Sequence, residues 1–133
     1  IGSSVADAGW LDEIPTGRPT LVIAEGLLMY LDEADVRALL QRLTDRFDTG
    51  EIAFDTIAPS GPKLSRLFSN GIVKWGIGDI HELERWNPRL RLLERVPAYA
   101  NYRTIPLTAQ RLLFGVLNAT LGSRYDVLNR FAF

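Results

Sequence analysis

A short apolar run near the start of the chain predicts a buried strand. Residues 21–24 are all apolar, and Pro19 and Gly26 bound the run on its two sides. An uninterrupted apolar stretch of this length is typical of a strand buried on both faces, as in a parallel sheet covered by helices. Glu25 follows the run directly, at the carboxyl end of the strand, where open α/β sheets bind their ligands. The alternative for this carboxylate is a solvated strand end.

The next segment has the spacing of an amphipathic helix. Asp32 can cap this helix, and acidic residues in its first turn interact favourably with the helix dipole. Gly50 closes the unit just before a second apolar strand, residues 51–57. Strand, helix and strand in this order predict a βαβ unit with two parallel strands. The predicted apolar face of the helix consists of Val36, Leu39, Leu40, Leu43 and Phe47.

The remainder of the chain predicts further elements of the same α/β kind. Proline and glycine at 58–62 break the chain after the second strand, and the stretch from Asn70 to Gly78 has no regular period. Asp79 can cap a helix that ends at Asn87. The predicted strands are 21–25, 51–57, 89–95 and 124–133, and the later predicted helices are 63–68, 80–86 and 107–121.

Several stretches of the sequence, taken together, match the sequence pattern of a known protein family. The two longest are residues 22–31, VIAEGLLMYL, and residues 54–59, FDTIAP; residues 1–11 precede them, and 74–79 and 90–94 follow. They resemble the leucine carboxyl methyltransferase family, in particular its bacterial branch that includes tetracenomycin polyketide O-methyltransferase. The resemblance extends in order over nearly the whole chain.

The resemblance implies a class I, Rossmann-like α/β fold that binds S-adenosylmethionine and transfers its methyl group to an oxygen atom. In the family the last strand is antiparallel and lies between its two predecessors. The four predicted strands with flanking helices then correspond to the C-terminal half of a seven-stranded sheet. The family's glycine-rich turn has no counterpart here. We therefore expect residues 1–133 to be the C-terminal portion of one methyltransferase domain, inactive alone.

The resemblance also implies a set of cofactor-binding residues. Glu25 and Gly26 are expected beside the amino-acid end of S-adenosylmethionine, where the carboxylate can accept hydrogen bonds or offset positive charge. Ser4 and Val5 fall where the family commonly has an Asp-Leu pair that frames the adenine. Because position 4 is serine, Asp7 is the substitute candidate for the acidic member of that pair.

Two residues are expected to face the methyl acceptor. Tyr30 lies five positions after Glu25, and Trp75 lies in the irregular stretch with Ile72 and Ile77. Together with Phe68, these apolar side chains could line an acceptor pocket. The alternative for Trp75 is packing in the core.

Other candidate residues give weaker signals. His81 is the only histidine and is expected in a surface or capping role. Asp55, late in the second strand, either points to the ligand edge or bonds the backbone of the turn that follows this strand. Arg103, beside Tyr99 and Tyr102, is expected to be solvated. No catalytic residue and no metal site are identified, and methyl transfer from a sulfonium requires alignment more than acid–base chemistry.

Composition narrows the classes of partner. The 15 basic and 16 acidic residues nearly balance, so no nucleic-acid or anionic-membrane footprint is present. The chain has no cysteine, which excludes disulfides and thiolate zinc sites. No apolar stretch reaches the roughly 18 residues of a transmembrane helix, and no signal peptide is visible, which predicts a cytoplasmic location.

The sequence thus predicts an S-adenosylmethionine-dependent O-methyltransferase. Its partner would be a small-molecule acceptor with a carboxylate or hydroxyl oxygen, such as a polyketide. The alternative is a non-catalytic interaction module, a remnant of the same fold. Half of a nicotinamide-dependent oxidoreductase is a third and weaker interpretation. Its G-x-G-x-x-G fingerprint is absent, but so is the region that would hold it, and residues 25–31 favour the methyltransferase.

Overall fold

The computed structural model describes residues 1–98, 100, 106, 108–117 and 126–133. These residues form a four-stranded mixed sheet with helices. The strands are β1 (Thr20–Ala24), β2 (Gly50–Ile57), β3 (Arg91–Pro97) and β4 (Asp126–Ala132). The helices are α1 (Glu33–Arg46), α2 (Ser60–Phe68), α3 (Glu82–Trp86) and α4 (Thr108–Leu117), with 3₁₀ turns at Gly9–Glu13 and Leu28–Tyr30.

The strand order confirms the predicted topology. The order is β1-β2-β4-β3, with β1 parallel to β2 and with β4 antiparallel to both of its neighbours. The last strand is therefore inserted between its two predecessors. As a result, the carboxyl ends of β1, β2 and β3 lie at one edge of the sheet, together with the amino end of β4. We call it the carboxyl edge; it is marked by Glu25, Ile57, Pro97 and Asp126.

One face of the sheet, here called the core face, carries the hydrophobic core. Side chains of Ile52, Phe54 and Phe131 point to it, and the two phenylalanine rings stack with their centroids 5.6 Å apart. Helices α1 and α3 pack there, the latter through the fully buried Leu83. The predicted apolar face of α1 is confirmed. Its members Val36, Leu39, Leu40, Leu43 and Phe47 are all buried.

The ends of α1 are held by residues distant in sequence. Asp32 occupies the predicted N-cap position, yet its carboxylate accepts a hydrogen bond from Lys74 Nζ at 3.0 Å and none from the helix. At the other end, Arg89 donates to the carbonyl oxygens of Thr44, Phe47 and Asp48. A cation there interacts favourably with the helix dipole. Arg89 therefore lies outside β3, which begins two residues later than predicted.

In the described residues β1 is buried on its core face only, and not on both faces as predicted. Ala24 is buried and Val22 half-buried on the core face, but Leu21 is 63% and Ile23 70% exposed. The physical reason is that β1 ends the strand order and that α1 and α3 pack on the core face alone. We call the other side, which also exposes Leu128, the open face.

Helices α2 and α4 form where the sequence predicts helices, but their apolar sides are exposed. In α2 the exposed residues include Leu67 and Phe68, and Ile72 beyond it is also exposed. Their place in an acceptor pocket with Trp75 stays a prediction. In α4 the exposed residues are Leu112, Leu113 and Val116. The predicted end of the last helix at 118–121, and Tyr99, Tyr102 and Arg103, lie outside the described residues.

The irregular stretch after α2 is anchored to two loops of the carboxyl edge. The backbone N–H groups of Lys74 and Trp75 donate to the carbonyl oxygen of Met29, at 2.8 and 3.1 Å. Gly76 lies so close to the end of β2 that a Cβ atom there would be 2.6 Å from the carbonyl oxygen of Ala58. Glycine is required at this position because of close backbone approach.

Candidate functional site

The turn after β1 places a carboxylate at the carboxyl edge. Glu25 follows β1 directly and is exposed. Gly26 has φ +60°, a left-handed conformation that glycine adopts without steric cost. Its N–H donates to Oδ1 of Asp55 on β2 at 2.7 Å. The backbone just after Glu25 is therefore held by a contact between neighbouring strands.

A third carboxylate lies at the same edge. Asp126 is the first residue of β4 and pairs with Ile57, the last residue of β2. Partial burial raises the pKa of Asp126 above its ordinary value, and the charge of Asp55 raises it further. Sequence reasoning missed Asp126, because its position beside Asp55 depends on the order of the strands. The only signal was an acidic residue near the start of the last predicted strand.

The three carboxylates favour a cationic ligand. Negative charge concentrated at one edge attracts positive groups, and partial burial strengthens the attraction. In the ranges that the structure describes, no group of three or more His, Cys, Asp or Glu side chains is arranged to hold a metal ion.

A shallow cavity lies beside Glu25 on the open face. Ile23, Ala53, Val96 and Leu128 form its apolar floor. Charged groups line it as well: Glu25, Asp55, Glu94 and Arg130. The Arg130 guanidinium bridges Glu94 and Glu51, at 3.1 Å each, across three strands. The cavity therefore offers an apolar surface with charges at its margins.

The three residues expected to frame the adenine lie in a turn that is tied to α1. Arg42 donates to the carbonyl oxygen of Val5 at 2.9 Å, and Asp7 accepts a hydrogen bond from the Ser3 hydroxyl. The Ser4 hydroxyl and the Asp7 carboxylate are exposed. None of the three lines the cavity beside Glu25. Their contact with adenine stays a prediction.

The two expected acceptor residues are placed very differently. Tyr30 lies in the 3₁₀ turn after Gly26 and is 43% exposed, so its acceptor role stays a prediction. Trp75 is 4% exposed, and its ring packs against Trp86 with centroids 6.3 Å apart. This burial favours the core alternative for Trp75.

His81 lies at the surface, as the sequence predicts. It occupies the position before α3, and its Nδ1 is 2.6 Å from a carboxylate oxygen of Glu84. The hydrogen bond from His81 lowers the pKa of Glu84. The contact is a local one within a single helical turn. It gives His81 no link to the carboxyl edge.

Comparison with known proteins supplies the family context. The tetracenomycin polyketide synthesis O-methyltransferase TcmP of Streptomyces glaucescens is 41% identical over 100 residues, 71% of this chain and 37% of that protein. The resemblance to this methyltransferase branch is confirmed. The S-adenosyl-L-methionine-dependent methyltransferase dpfgK of Gibberella zeae is 33% identical over 111 residues, 74% of this chain and 37% of its own length. The chain thus spans little more than a third of either relative.

A solved structure agrees with the fold. The crystal structure of a SAM dependent methyltransferase from Archaeoglobus fulgidus matches 100% of this chain and 66% of its own with a TM-score of 0.56. The sequence identity is 13%, so this likeness concerns the fold alone. It confirms the predicted class I methyltransferase arrangement. No protein-family model matches the chain.

The raised pKa of Asp126 predicts a pH-dependent stability. An unfolded aspartate titrates near 3.8, whereas burial and Asp55 keep the folded side chain protonated to higher pH. Between the two pKa values the folded state binds more protons, so rising pH lowers the free energy of unfolding. Asp126→Asn should therefore raise the melting temperature at neutral pH. Melting curves recorded from neutral to acidic pH should show the gain disappearing below the unfolded pKa.

Asp79→Asn is a control for which the expected change in melting temperature has the opposite sign. The pKa of Asp79 is lowered, first by the hydrogen bond from Arg85. Its contribution to stability is therefore present above the unfolded pKa and is lost as pH falls through the folded pKa. Asp79→Asn should slightly lower the melting temperature at neutral pH. If Asp126→Asn leaves the melting temperature unchanged or lowers it at neutral pH, while Asp79→Asn lowers it as expected, the burial argument for Asp126 is wrong.

Proposed function

We propose that this chain is the C-terminal portion of an S-adenosylmethionine-dependent O-methyltransferase domain, with the donor bound at the carboxyl edge. One observation carries the proposal. The exposed carboxylate of Glu25 stands at the end of β1, and the Gly26 turn that presents it is bonded to Asp55. The relationship to TcmP supports methyl transfer to oxygen as the activity.

The open face supports the assignment to part of a larger domain. Among the described strands β1 pairs with β2 alone, and Leu21 and Ile23 are exposed. A preceding half that carries the glycine-rich turn would extend the sheet beside β1 and cover this apolar face. Both relatives are long enough to contain such a half, since the chain spans 37% of each.

The residues at the carboxyl edge suit S-adenosylmethionine. When bound, this cofactor supplies a methyl group on a positively charged sulfur, an excellent leaving group. Its amino-acid end carries an ammonium group that the Glu25 carboxylate would bind by charge-assisted hydrogen bonds. Gly26, without a Cβ, lets the backbone approach the ligand closely. Ser4, Val5 and Asp7 would frame the adenine.

The acceptor is a small molecule with a carboxylate or hydroxyl oxygen, such as a polyketide. A carboxylate is already ionised at neutral pH and needs no general base, so the protein mainly has to align the reacting atoms. Tyr30, exposed close to Glu25 in sequence, would contact this acceptor. None of the described helices is long and apolar enough to cross a membrane. A cytoplasmic location stays a prediction.

A non-catalytic interaction module is the second candidate. The observation that favours it is the exposed apolar side of α2, where Leu67 is 73% and Phe68 76% exposed. Large exposed apolar patches often mark contact surfaces between proteins. Donor binding separates the two candidates, because a module that has lost its cofactor site does not bind S-adenosylmethionine.

Calorimetric titration with S-adenosylmethionine tests the proposal. Residues 1–133 alone should bind weakly or not at all, because the glycine-rich turn that contacts the donor would lie in the preceding part of the sheet. A protein extended at its N-terminus to the length of TcmP should bind with micromolar affinity. Micromolar binding by residues 1–133 would contradict the need for a preceding half. Absence of binding by the extended protein would favour the interaction module.

A further inference from the structure

The buried carboxylate of Asp55 requires an explanation. The side chain is only 8% exposed, although a carboxyl group is strongly polar. Burial of a carboxylate is costly unless hydrogen bonds compensate for the lost water. The described partner of Asp55 is the N–H of Gly26, at 2.7 Å and 29 residues away in sequence. A side chain of β2 thus binds the backbone of the loop that follows β1, next to Glu25.

This hydrogen bond holds the peptide group that joins Glu25 to Gly26. The N–H of Gly26 and the carbonyl of Glu25 belong to one planar peptide group, so holding the N–H also holds the carbonyl. The strand register supports the contact, because Ala24 pairs with Phe54 and places Glu25 beside Asp55. The hydrogen bond that Asp55 accepts therefore restrains the backbone from which the Glu25 side chain extends.

We propose that Asp55 is a positioning residue, which holds the Gly26 N–H and thereby aims the Glu25 carboxylate at the methyl donor. This inference rests on the proposed function. It assigns Asp55 a role through its acceptor oxygen rather than through its charge. That distinction matters because Asp126 places another carboxyl group close to Asp55 at the same edge.

Two substitutions separate the acceptor from the charge. Asp55→Asn removes the charge but keeps an oxygen that can accept from Gly26, whereas Asp55→Ala removes both. In the protein extended to the length of TcmP, Asp55→Ala should weaken S-adenosylmethionine binding about tenfold, in the range for a lost hydrogen bond to a charged group. Asp55→Asn should stay within about threefold of the unchanged protein. Calorimetry measures both affinities.

A spectroscopic measurement reports the contact without any ligand. In ¹⁵N-glycine-labelled protein, the Gly26 amide signal is the one that disappears in Gly26→Ala. It should shift strongly in Asp55→Ala and little in Asp55→Asn. Thr44→Ala is the control for lost stability. Thr44 lies in the second half of α1, and its buried hydroxyl accepts a hydrogen bond from the Asn87 side chain at 2.7 Å. This control should lower the melting temperature and leave donor affinity unchanged.

Each result supports or overturns the inference. An unmoved Gly26 signal in Asp55→Ala shows that the contact does not hold this amide. A moved signal with unchanged donor affinity shows that the contact does not serve the donor. Equal losses of affinity in the two variants assign the effect to charge and overturn the positioning role. If the unchanged protein binds no S-adenosylmethionine, the proposed function itself has failed and the positioning role falls with it, whatever the Gly26 signal does.

Discussion

Trp75→Ala is expected to lower the free energy of unfolding by about 3–5 kcal/mol, the range for removal of a large buried aromatic side chain. Trp75 is 4% exposed and belongs to the same core cluster as Ile77 and Ile80. Its ring also contacts Trp86, so the substitution leaves a cavity lined by an unsupported aromatic. Chemical denaturation followed by circular dichroism measures the change.

Ile72→Ala is the matched control for this experiment. Ile72 lies three residues earlier in the same irregular stretch but is 62% exposed. Its substitution should change the free energy of unfolding by no more than about 0.5 kcal/mol. A small stability loss for Trp75→Ala, together with a raised KM for the acceptor, would instead support the predicted role of Trp75 in an acceptor pocket.

Glu25→Ala is expected to weaken S-adenosylmethionine binding about ten- to hundredfold in the protein extended to the length of TcmP, because a charge-assisted hydrogen bond is lost. The exposed side chain makes little contribution to packing, so the melting temperature should change little. Titration calorimetry and a melting curve on the same preparation measure both quantities.

An exposed glutamate elsewhere provides the control. Glu13, in the first 3₁₀ turn, is also exposed, and Glu13→Ala removes the same charge from the molecule. It should leave donor affinity unchanged. Equal affinities for the Glu25 and Glu13 variants would show that Glu25 is only a solvated strand end. The donor site would then have to be sought elsewhere on the carboxyl edge.

The elements that were predicted well depend on residues close together in the chain. The α1 face from Val36 to Phe47 follows from the helical period, and every member of it is buried. The antiparallel last strand was predicted from the family resemblance, and the pairing of β4 with β2 and β3 confirms it. The α2 helix was predicted as well. The surroundings of its apolar side were not, since periodicity identifies a face without identifying what covers it.

The sequence by itself determined the kind of each element, the family context and the carboxylate at the end of the first strand, because these depend on local pattern or on motif. The tertiary structure alone decided which faces are covered. An apolar run such as residues 21–24 is compatible with one or two buried faces, and only packing distinguishes them. The contact between Gly26 and Asp55 and the proximity of Asp126 likewise depend on strand order and register. Those are set by pairing between residues far apart in the chain, which no local pattern encodes.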